Sequence, residues 1–313
     1  MIFIAKKKRW GKKREDKRLW EIVNELYVAR GEFLFDLEFV KSWDDELAEV
    51  NKGKKGAPFE FPESFIEWLA VLSQWISNRG LQGVTRKFQE YGLIPKEANY
   101  STISIRVNKI DTSFELPKEG NISVSTDGSG MKMSNRGDYK ETKYGDGKKK
   151  YLKVTISADP YKKKLLDIDV CIDGEGASEP EVAMSHLERL IEMGFDVKKF
   201  FGDGSFDVHD LFDLLDQYAI LSGIKIRKNA SIDPEGTGSW RRKQEVLKYR
   251  KLGYKKWARE TEYGRRWTGT EGIFSAVKGI FGEETRSKNI NNLIHEVRRK
   301  FWAYDRMCQY AKA

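Results

Sequence analysis

The fold is decided by the stretch Ile122-Ser-Val-Ser-Thr126, which runs directly into Asp127-Gly-Ser-Gly130. Apolar and polar residues alternate over the first five positions, and this period of two is typical of a half-buried β-strand. A glycine follows Asp127 and lets the backbone leave the strand sharply. The stretch therefore predicts a strand that ends beside Asp127 and leaves its carboxylate exposed at the edge of a sheet.

The residues after this strand alternate between strand and helix patterns. The predicted elements are strands at 122–126, 151–158 and 164–172, a helix at 178–193, a strand at 198–202, a helix at 207–218 and a strand at 219–226. Three strands, a helix, a strand, a helix and a strand is the order of a ribonuclease-H-like core. The sequence therefore predicts an α/β fold in which a mixed sheet is flanked by helices.

A helical region precedes the sheet. From Pro62 to Ile110 apolar residues recur at helical spacing, and turns that contain glycine divide the pattern into short helices. Short helices joined by tight turns are how helix-turn-helix modules are built. If the region is such a module, we expect Arg106 and Lys109 to face DNA; a plain three-helix domain is the alternative.

The charge balance points to a polyanionic partner. Lys and Arg number 57 against 48 Asp and Glu, which gives a net charge of +9. Such an excess suits nucleic acid, although a merely soluble basic protein would also carry it. Cys171 and Cys308 form no zinc or disulfide pattern, and no apolar run approaches the ~20 residues of a membrane span. These features predict a cytoplasmic protein that works at the nucleoid.

Two further carboxylates stand at positions that suit chemistry. Asp203 lies in Phe201-Gly-Asp-Gly204 at the end of a predicted strand, and Glu271 opens a predicted helix. Ligands collect at strand ends in open α/β sheets, so Asp127 and Asp203 meet there if their strands are neighbours. Their oxygens suit Mg²⁺, and two such ions can hold both the attacking and the leaving oxygen of an in-line displacement. The alternatives are ordinary Asp-Gly turns and, for Glu271, a capping box with Thr268.

The residues around Glu271 carry a second pattern. Glu271 and Lys278 are seven residues, or two helical turns, apart and share one helix face, and Tyr263 and Arg266 precede them. Tyr, Arg, Glu and Lys in this order, together with the two aspartate segments, resemble the DDE transposases of bacterial and archaeal insertion sequences. Four residues separate Arg266 from Glu271 where that family usually has three, so either Arg265 or Arg266 matches the arginine of the signature.

The resemblance, which covers about residues 120–305, implies a mechanism. Asp127, Asp203 and Glu271 would bind two Mg²⁺ ions, with Mn²⁺ as a substitute, to cut the ends of the element and join the 3′-hydroxyl to target DNA. The residues that would contact DNA near the cut are Tyr263, Arg266 (or Arg265) and Lys278. The implied partners are double-stranded DNA, at the terminal repeats and the target, and a second copy of the chain, since two ends are cut together.

Residues 229–260 break the alternation of strands and helices. They carry many cations, which suit the DNA backbone, and two tryptophans, Trp240 and Trp257. Either ring could stack on an unpaired base near the cut. The alternative is a tryptophan buried in a small core of the segment's own.

These features divide the chain into five parts. They are a basic N-terminal arm and linker (1–58), a helix-turn-helix-like DNA-binding domain (59–116), the first part of the ribonuclease-H-like core (117–228), a basic insertion (229–260) and the C-terminal part of the core, which carries Glu271 (261–313). Two other functions suit the same residues. One is a structure-selective nuclease of this fold, which cuts without joining, and the other is a DNA-binding regulator descended from a transposase.

Overall fold

The computed structural model describes residues 18–118, 120–133, 151–232 and 238–312. Most of the basic cluster predicted for the N-terminal arm, residues 1–17, lies outside these ranges. The helices are α1 (Trp20–Glu32), α2 (Phe39–Asn51), α3 (Glu63–Leu72), α4 (Asn78–Glu90), α5 (Tyr100–Val107), α6 (Glu179–Glu192), α7 (His209–Gln217), α8 (Trp240–Glu260), α9 (Gly272–Phe281) and α10 (Ile290–Tyr310). None of the helices in the described ranges is long and apolar enough to cross a membrane.

A five-stranded mixed sheet forms the centre of the fold. Its strands are β1 (Asn121–Lys132), β2 (Tyr151–Asp159), β3 (Lys164–Ile172), β4 (Asp196–Gly202) and β5 (Leu221–Ile224), in the order β3-β2-β1-β4-β5. The first three strands are antiparallel, whereas β4 and β5 run parallel to β1. The predicted mixed, ribonuclease-H-like sheet with flanking helices is thereby confirmed.

Strand β1 runs farther than the sequence predicts. Asp127 pairs with Ile156 of β2, and this pairing continues as far as Lys132. The prediction that the strand ends beside Asp127 is therefore wrong, because antiparallel pairing with β2 carries the chain through both glycines. The register between β1 and β4 ends at Ser125, so Asp127 lies just where β4 leaves β1.

The side chains of β1 alternate between two hydrophobic clusters. Ile122 and Val124 lie in one cluster with apolar residues of α6 and α7, whereas Met131 lies in the other. This other cluster also includes Phe65 of α3 and Trp302 of α10. The N-terminal helices therefore share a continuous core with one face of the sheet.

The region predicted to resemble a helix-turn-helix forms α3, α4 and α5. Ser77 and Asn99 cap α4 and α5 by accepting hydrogen bonds from backbone N–H groups of the first turns. Arg106 of α5 pairs with Glu63 at 2.7 Å, so its guanidinium is engaged within the protein. Lys109, which follows α5, is exposed.

Candidate active site

The candidate carboxylates gather where β1 and β4 separate. Asp203 follows β4 directly, and its Oδ1 accepts hydrogen bonds from the backbone N–H of Ser205, at 2.7 Å, and from the Ser205 hydroxyl, at 2.5 Å. Gly202 allows the turn at this point, because a Cβ there would lie 2.8 Å from the ring of Phe206. Since Asp127 lies on the neighbouring strand, the sheet brings both aspartates to one edge.

Arg266 links Asp127 to Glu271. Its Nη1 donates to Asp127 Oδ2 and its Nη2 donates to Glu271 Oε1, both at 3.0 Å. The arginine side chain is only 8% exposed, so its lost hydration has to be replaced by paired negative charge. Two carboxylates from distant parts of the chain supply that charge and are held on either side of one cation.

Electrostatics bring Asp203 into the same group. Burial raises the pKa of Asp127 above its ordinary value, while the Arg266 guanidinium and the N–H of Gly128 act in the opposite direction. The negative charges of Asp203 and Glu271 raise the pKa of Asp127 further. The charges of Asp203 and Glu271 are therefore close enough to act on Asp127, and this repulsion favours a cation beside it.

A π-helical turn, Trp267–Glu271, sets the direction of the Glu271 side chain. The N–H of Gly272 bonds to the carbonyl of Trp267, five residues back instead of four. In a regular α-helix, side chains five residues apart would point about 140° apart around the axis. The wider π turn brings Arg266 and Glu271 to the same side of the helix. It does so although four residues, one more than the signature usually has, separate the two.

Gly269 packs the π turn closely against the sheet. A Cβ at this position would lie 3.0 Å from Pro160 Cβ and 3.3 Å from Ser125 Cβ. The Thr268 hydroxyl also donates to the carbonyl of Pro160, at 3.3 Å. Glu271 is therefore aimed by direct contact of its turn with the ends of the central strands.

Lys278 approaches the same edge from α9. Its Nζ donates to the hydroxyl of Ser129 at 2.9 Å. Ser129 lies two positions after Asp127 on β1, and strand residues two apart point to the same face. The ammonium group therefore lies on the face of the sheet that bears Asp127.

Tyr263 and Trp257 form an aromatic support next to Arg266. Their ring centroids are 5.1 Å apart, and the guanidinium lies 5.6 Å from the Tyr263 ring. Burial raises the pKa of the Tyr263 hydroxyl. Trp257 is only 1% exposed, so it is buried, as in the alternative to stacking on a base. Trp240 is 65% exposed and therefore accessible.

Arg265, the other candidate for the arginine of the signature, lies over the ring of Tyr161. It is exposed, and its guanidinium lies 5.2 Å from the centroid of the Tyr161 ring. Of the two neighbours, Arg266 is the one that contacts Asp127 and Glu271.

The segment predicted to be a basic insertion forms α8 over most of its length and packs against the sheet domain. Val246 lies in the cluster that contains Ile122 and Val124, and Arg242 pairs with the buried Asp207 at 2.7 Å. The helix is interrupted at Gly253, whose φ of +68° suits glycine.

Sequence reasoning missed Glu179, whose carboxylate lies at the same edge of the sheet. A Cβ on Gly128, the neighbour of Asp127, would lie 2.5 Å from Glu179 Oε1. A signal for this residue existed, because α6 leads into β4, which is parallel to β1. A helix that precedes a parallel strand begins at the carboxyl end of the sheet, which is where Asp127 lies.

The chemistry of the site suits a divalent metal ion. Over the described ranges, no three His, Cys, Asp or Glu side chains stand close enough together to be ready to hold a metal. A cation nevertheless lies between two of the candidate ligands, since the Arg266 guanidinium contacts both Asp127 and Glu271. Carboxylate oxygens are the hard donors that Mg²⁺ and Mn²⁺ prefer, so the chemistry of these donor groups fits such an ion.

Comparisons with known proteins agree with this geometry. Two family models, each described as a transposase DDE domain, match residues 28–136 and residues 120–305. A search of curated proteins found no match. The second family model covers more than half of the chain, including Asp127, Asp203 and Glu271. The chain therefore belongs to the DDE transposases.

Proposed function

We propose that this transposase cuts the ends of an insertion sequence and joins the resulting 3′-hydroxyl to target DNA, with Asp127, Asp203 and Glu271 as its metal-binding residues. The observation that carries the proposal is the pair of 3.0 Å contacts through which Arg266 joins Asp127 to Glu271, next to Asp203. Membership of the family supports it, because DDE transposases act on DNA and typically use divalent metal ions.

The cofactor in this proposal is a pair of Mg²⁺ ions, for which Mn²⁺ can substitute. When bound, two such ions hold the attacking and the leaving oxygens of an in-line displacement at phosphorus. Asp127 and Glu271 already bind one positive group together, which supports their role as ligands. The protein itself then supplies positioning and fixed charge, which account for most of the catalysis in phosphoryl transfer.

Arg266 would leave the carboxylates and contact a DNA phosphate near the cut. A guanidinium pairs with phosphate as well as with carboxylate, often through two parallel hydrogen bonds. Lys278, which donates to Ser129 at 2.9 Å, would turn to a phosphate in the same way. Tyr263, whose ring lies 5.6 Å from the Arg266 guanidinium, would contact the DNA next to the arginine.

Double-stranded DNA would be bound over a wider surface than the cut itself. Helices α3 to α5 would engage the terminal repeat, with Lys109 exposed beyond α5. Arg265 and Trp240 are exposed and would contact DNA on the side of the catalytic edge. Two copies of the chain would act together, one at each end of the element, and the reaction would take place at the nucleoid in the cytoplasm.

Cleavage of a labelled duplex that carries the element's end tests the proposal. Glu271→Gln should lower the rate by at least about 100-fold, since even outer partners of metal ligands are worth roughly 10–100-fold. Glu260→Gln, which removes an exposed carboxylate at the end of α8, is the matched control and should cleave like the wild type. Cleavage by Glu271→Gln within tenfold of wild type would rule out the role given to Glu271.

A further inference from the structure

Glu179 occupies a special place among the carboxylates of α6. Ser178 caps this helix, and the side chain of Glu181 completes a capping box by bonding back to the N–H of Ser178. Glu181 therefore serves the helix end itself. Glu179 is the first residue of the helix, and its side chain extends to the sheet edge that bears the candidate active site.

Gly128 provides the space for the Glu179 carboxylate. A Cβ at this position would lie 2.5 Å from Oε1 and 2.8 Å from the carboxyl carbon of Glu179. Any side chain at position 128 would therefore displace the carboxylate. Because Gly128 directly follows Asp127, Glu179 packs on the backbone next to a candidate metal ligand.

Ser205 connects Glu179 to a second candidate ligand. Its hydroxyl donates to Asp203 Oδ1 at 2.5 Å and also lies within hydrogen-bond distance of Glu179 Oε2, at 3.3 Å. The single hydroxyl proton points toward both carboxylates, so Glu179 and Asp203 together fix the position of the Ser205 side chain. Both hydrogen bonds from Ser205 to Asp203 fall on Oδ1, which leaves Oδ2 for a metal ion.

General electrostatics do not account for this arrangement. An acidic residue in the first turn of any helix gains from the helix dipole, and Glu181 meets that need as well as Glu179 does. The ammonium of Lys153 is 3.9 Å from Glu179, too far for a hydrogen bond. Glu179 also packs over Gly128 and lies within hydrogen-bond distance of the Ser205 hydroxyl, and these two residues lie close to Asp127 and Asp203 in the chain.

We propose that Glu179 is a positioning residue of the transposase active site, which orients Asp203 through the Ser205 hydroxyl and thereby strengthens metal binding. The inference rests on the proposed function, in which Asp127, Asp203 and Glu271 hold the metal. Outer residues that fix the orientation of metal ligands are typically worth 10–100-fold in metal affinity. Glu179 belongs to this class because the Ser205 hydroxyl links it to Asp203.

Calorimetric titration of the full chain with Mn²⁺, without DNA, tests the inference independently of catalysis. Glu179→Gln keeps the packing on Gly128 but weakens the hydrogen bond, and should raise the Mn²⁺ dissociation constant about tenfold or more. Glu181→Gln removes the same charge from the same helix turn and retains a capping-box residue. It should therefore leave the dissociation constant within about twofold of wild type.

A double-mutant cycle with Ser205→Ala separates positioning from charge. If Glu179 acts through Ser205, the double variant should bind Mn²⁺ no more weakly than Ser205→Ala alone; a purely electrostatic effect would be additive. Wild-type affinity in Glu179→Gln, equal losses in Glu179→Gln and Glu181→Gln, or an additive cycle would each overturn the inference. Asp127→Ala tests the proposed function separately. If Asp127 is a metal ligand, this variant should lose the Mn²⁺ binding that the wild type shows; if it keeps that binding, the proposed function fails and not only the role of Glu179.

Discussion

Replacing Gly269 by alanine tests whether the π turn aims Glu271 by resting on the sheet. The added Cβ would lie 3.0 Å from the Cβ and 3.1 Å from the Cα of Pro160, and 3.3 Å from the Cβ of Ser125. All three are Cα or Cβ atoms, whose positions are fixed by the backbone, so none of them can rotate away. The turn itself must therefore move outward by a few tenths of an ångström, and Glu271 moves with it.

The expected magnitudes follow from this overlap. Adding a methyl group to a well-packed site costs about 1–3 kcal/mol, which lowers the midpoint of thermal unfolding by about 1.5–5 °C for a chain of 313 residues. A ligand displaced by ~1 Å can cost a factor of about 100 in rate, so a smaller shift of Glu271 should slow cleavage at least several-fold. Differential scanning calorimetry and a cleavage assay on the same preparation measure both effects.

Gly279→Ala is the matched control for this experiment. Gly279 lies in α9, the helix that follows the π turn. Apart from its chain neighbours and the backbone of its own helix, no atom of the described residues lies within 4 Å of the position that a Cβ would take. Alanine there should raise stability by about 0.5–1 kcal/mol, because glycine is a poor helix former, and should leave cleavage unchanged. If Gly269→Ala behaved like Gly279→Ala in both assays, the packing of the π turn would not control Glu271.

Three further predictions concern other parts of the chain. Trp257→Ala should lower the free energy of unfolding by about 3–5 kcal/mol, because this ring is buried, whereas Trp240→Ala should change it by less than about 0.5 kcal/mol in urea titrations. Burial is the main cause that lowers the pKa of His186 to about 4. The imidazole therefore binds a proton more weakly in the folded protein than in the unfolded chain, and the folded state loses stability as the pH falls from about 6.5 to 4. His186→Gln should therefore flatten the acid limb of stability against pH, and an unchanged limb would contradict this assignment. Arg266→Met should bind Mn²⁺ more tightly than wild type without DNA, because no guanidinium then competes for Asp127 and Glu271; weaker binding would refute the proposed exchange.

The order of strands and helices could be predicted because it depends on local patterns. Alternation in Ile122-Ser-Val-Ser-Thr126 and helical spacing in 178–193 are visible within short windows of sequence. The end of β1 could not be predicted in this way. Glycines usually weaken a strand, but pairing of Asp127 with Ile156 on β2 carries β1 through them, and that partner lies far along the chain.

The site was less accessible to sequence reasoning than the fold. The contact between Arg266 and Glu271 needs a π turn, which depends on how Gly269 rests on Pro160 rather than on the residues of the turn alone. In the sequence, Glu179 is indistinguishable from any acidic residue in the first turn of a helix. Its approach to Gly128 arises only because α6 packs back against the sheet, and this packing joins distant parts of the chain. The pattern of charged and aromatic residues in 229–260 does not predict which side chains of α8 are buried.

A strand-transfer assay tests the central claim most directly. The purified transposase is incubated with a duplex of the element's own end and a target plasmid, with Mg²⁺ present or absent, alongside Asp127→Ala. We expect joined products that require both Mg²⁺ and Asp127. Cleavage without joining would favour a structure-selective nuclease, binding without cleavage would favour a regulator, and joining by Asp127→Ala at the wild-type rate would contradict the assignment of the active site.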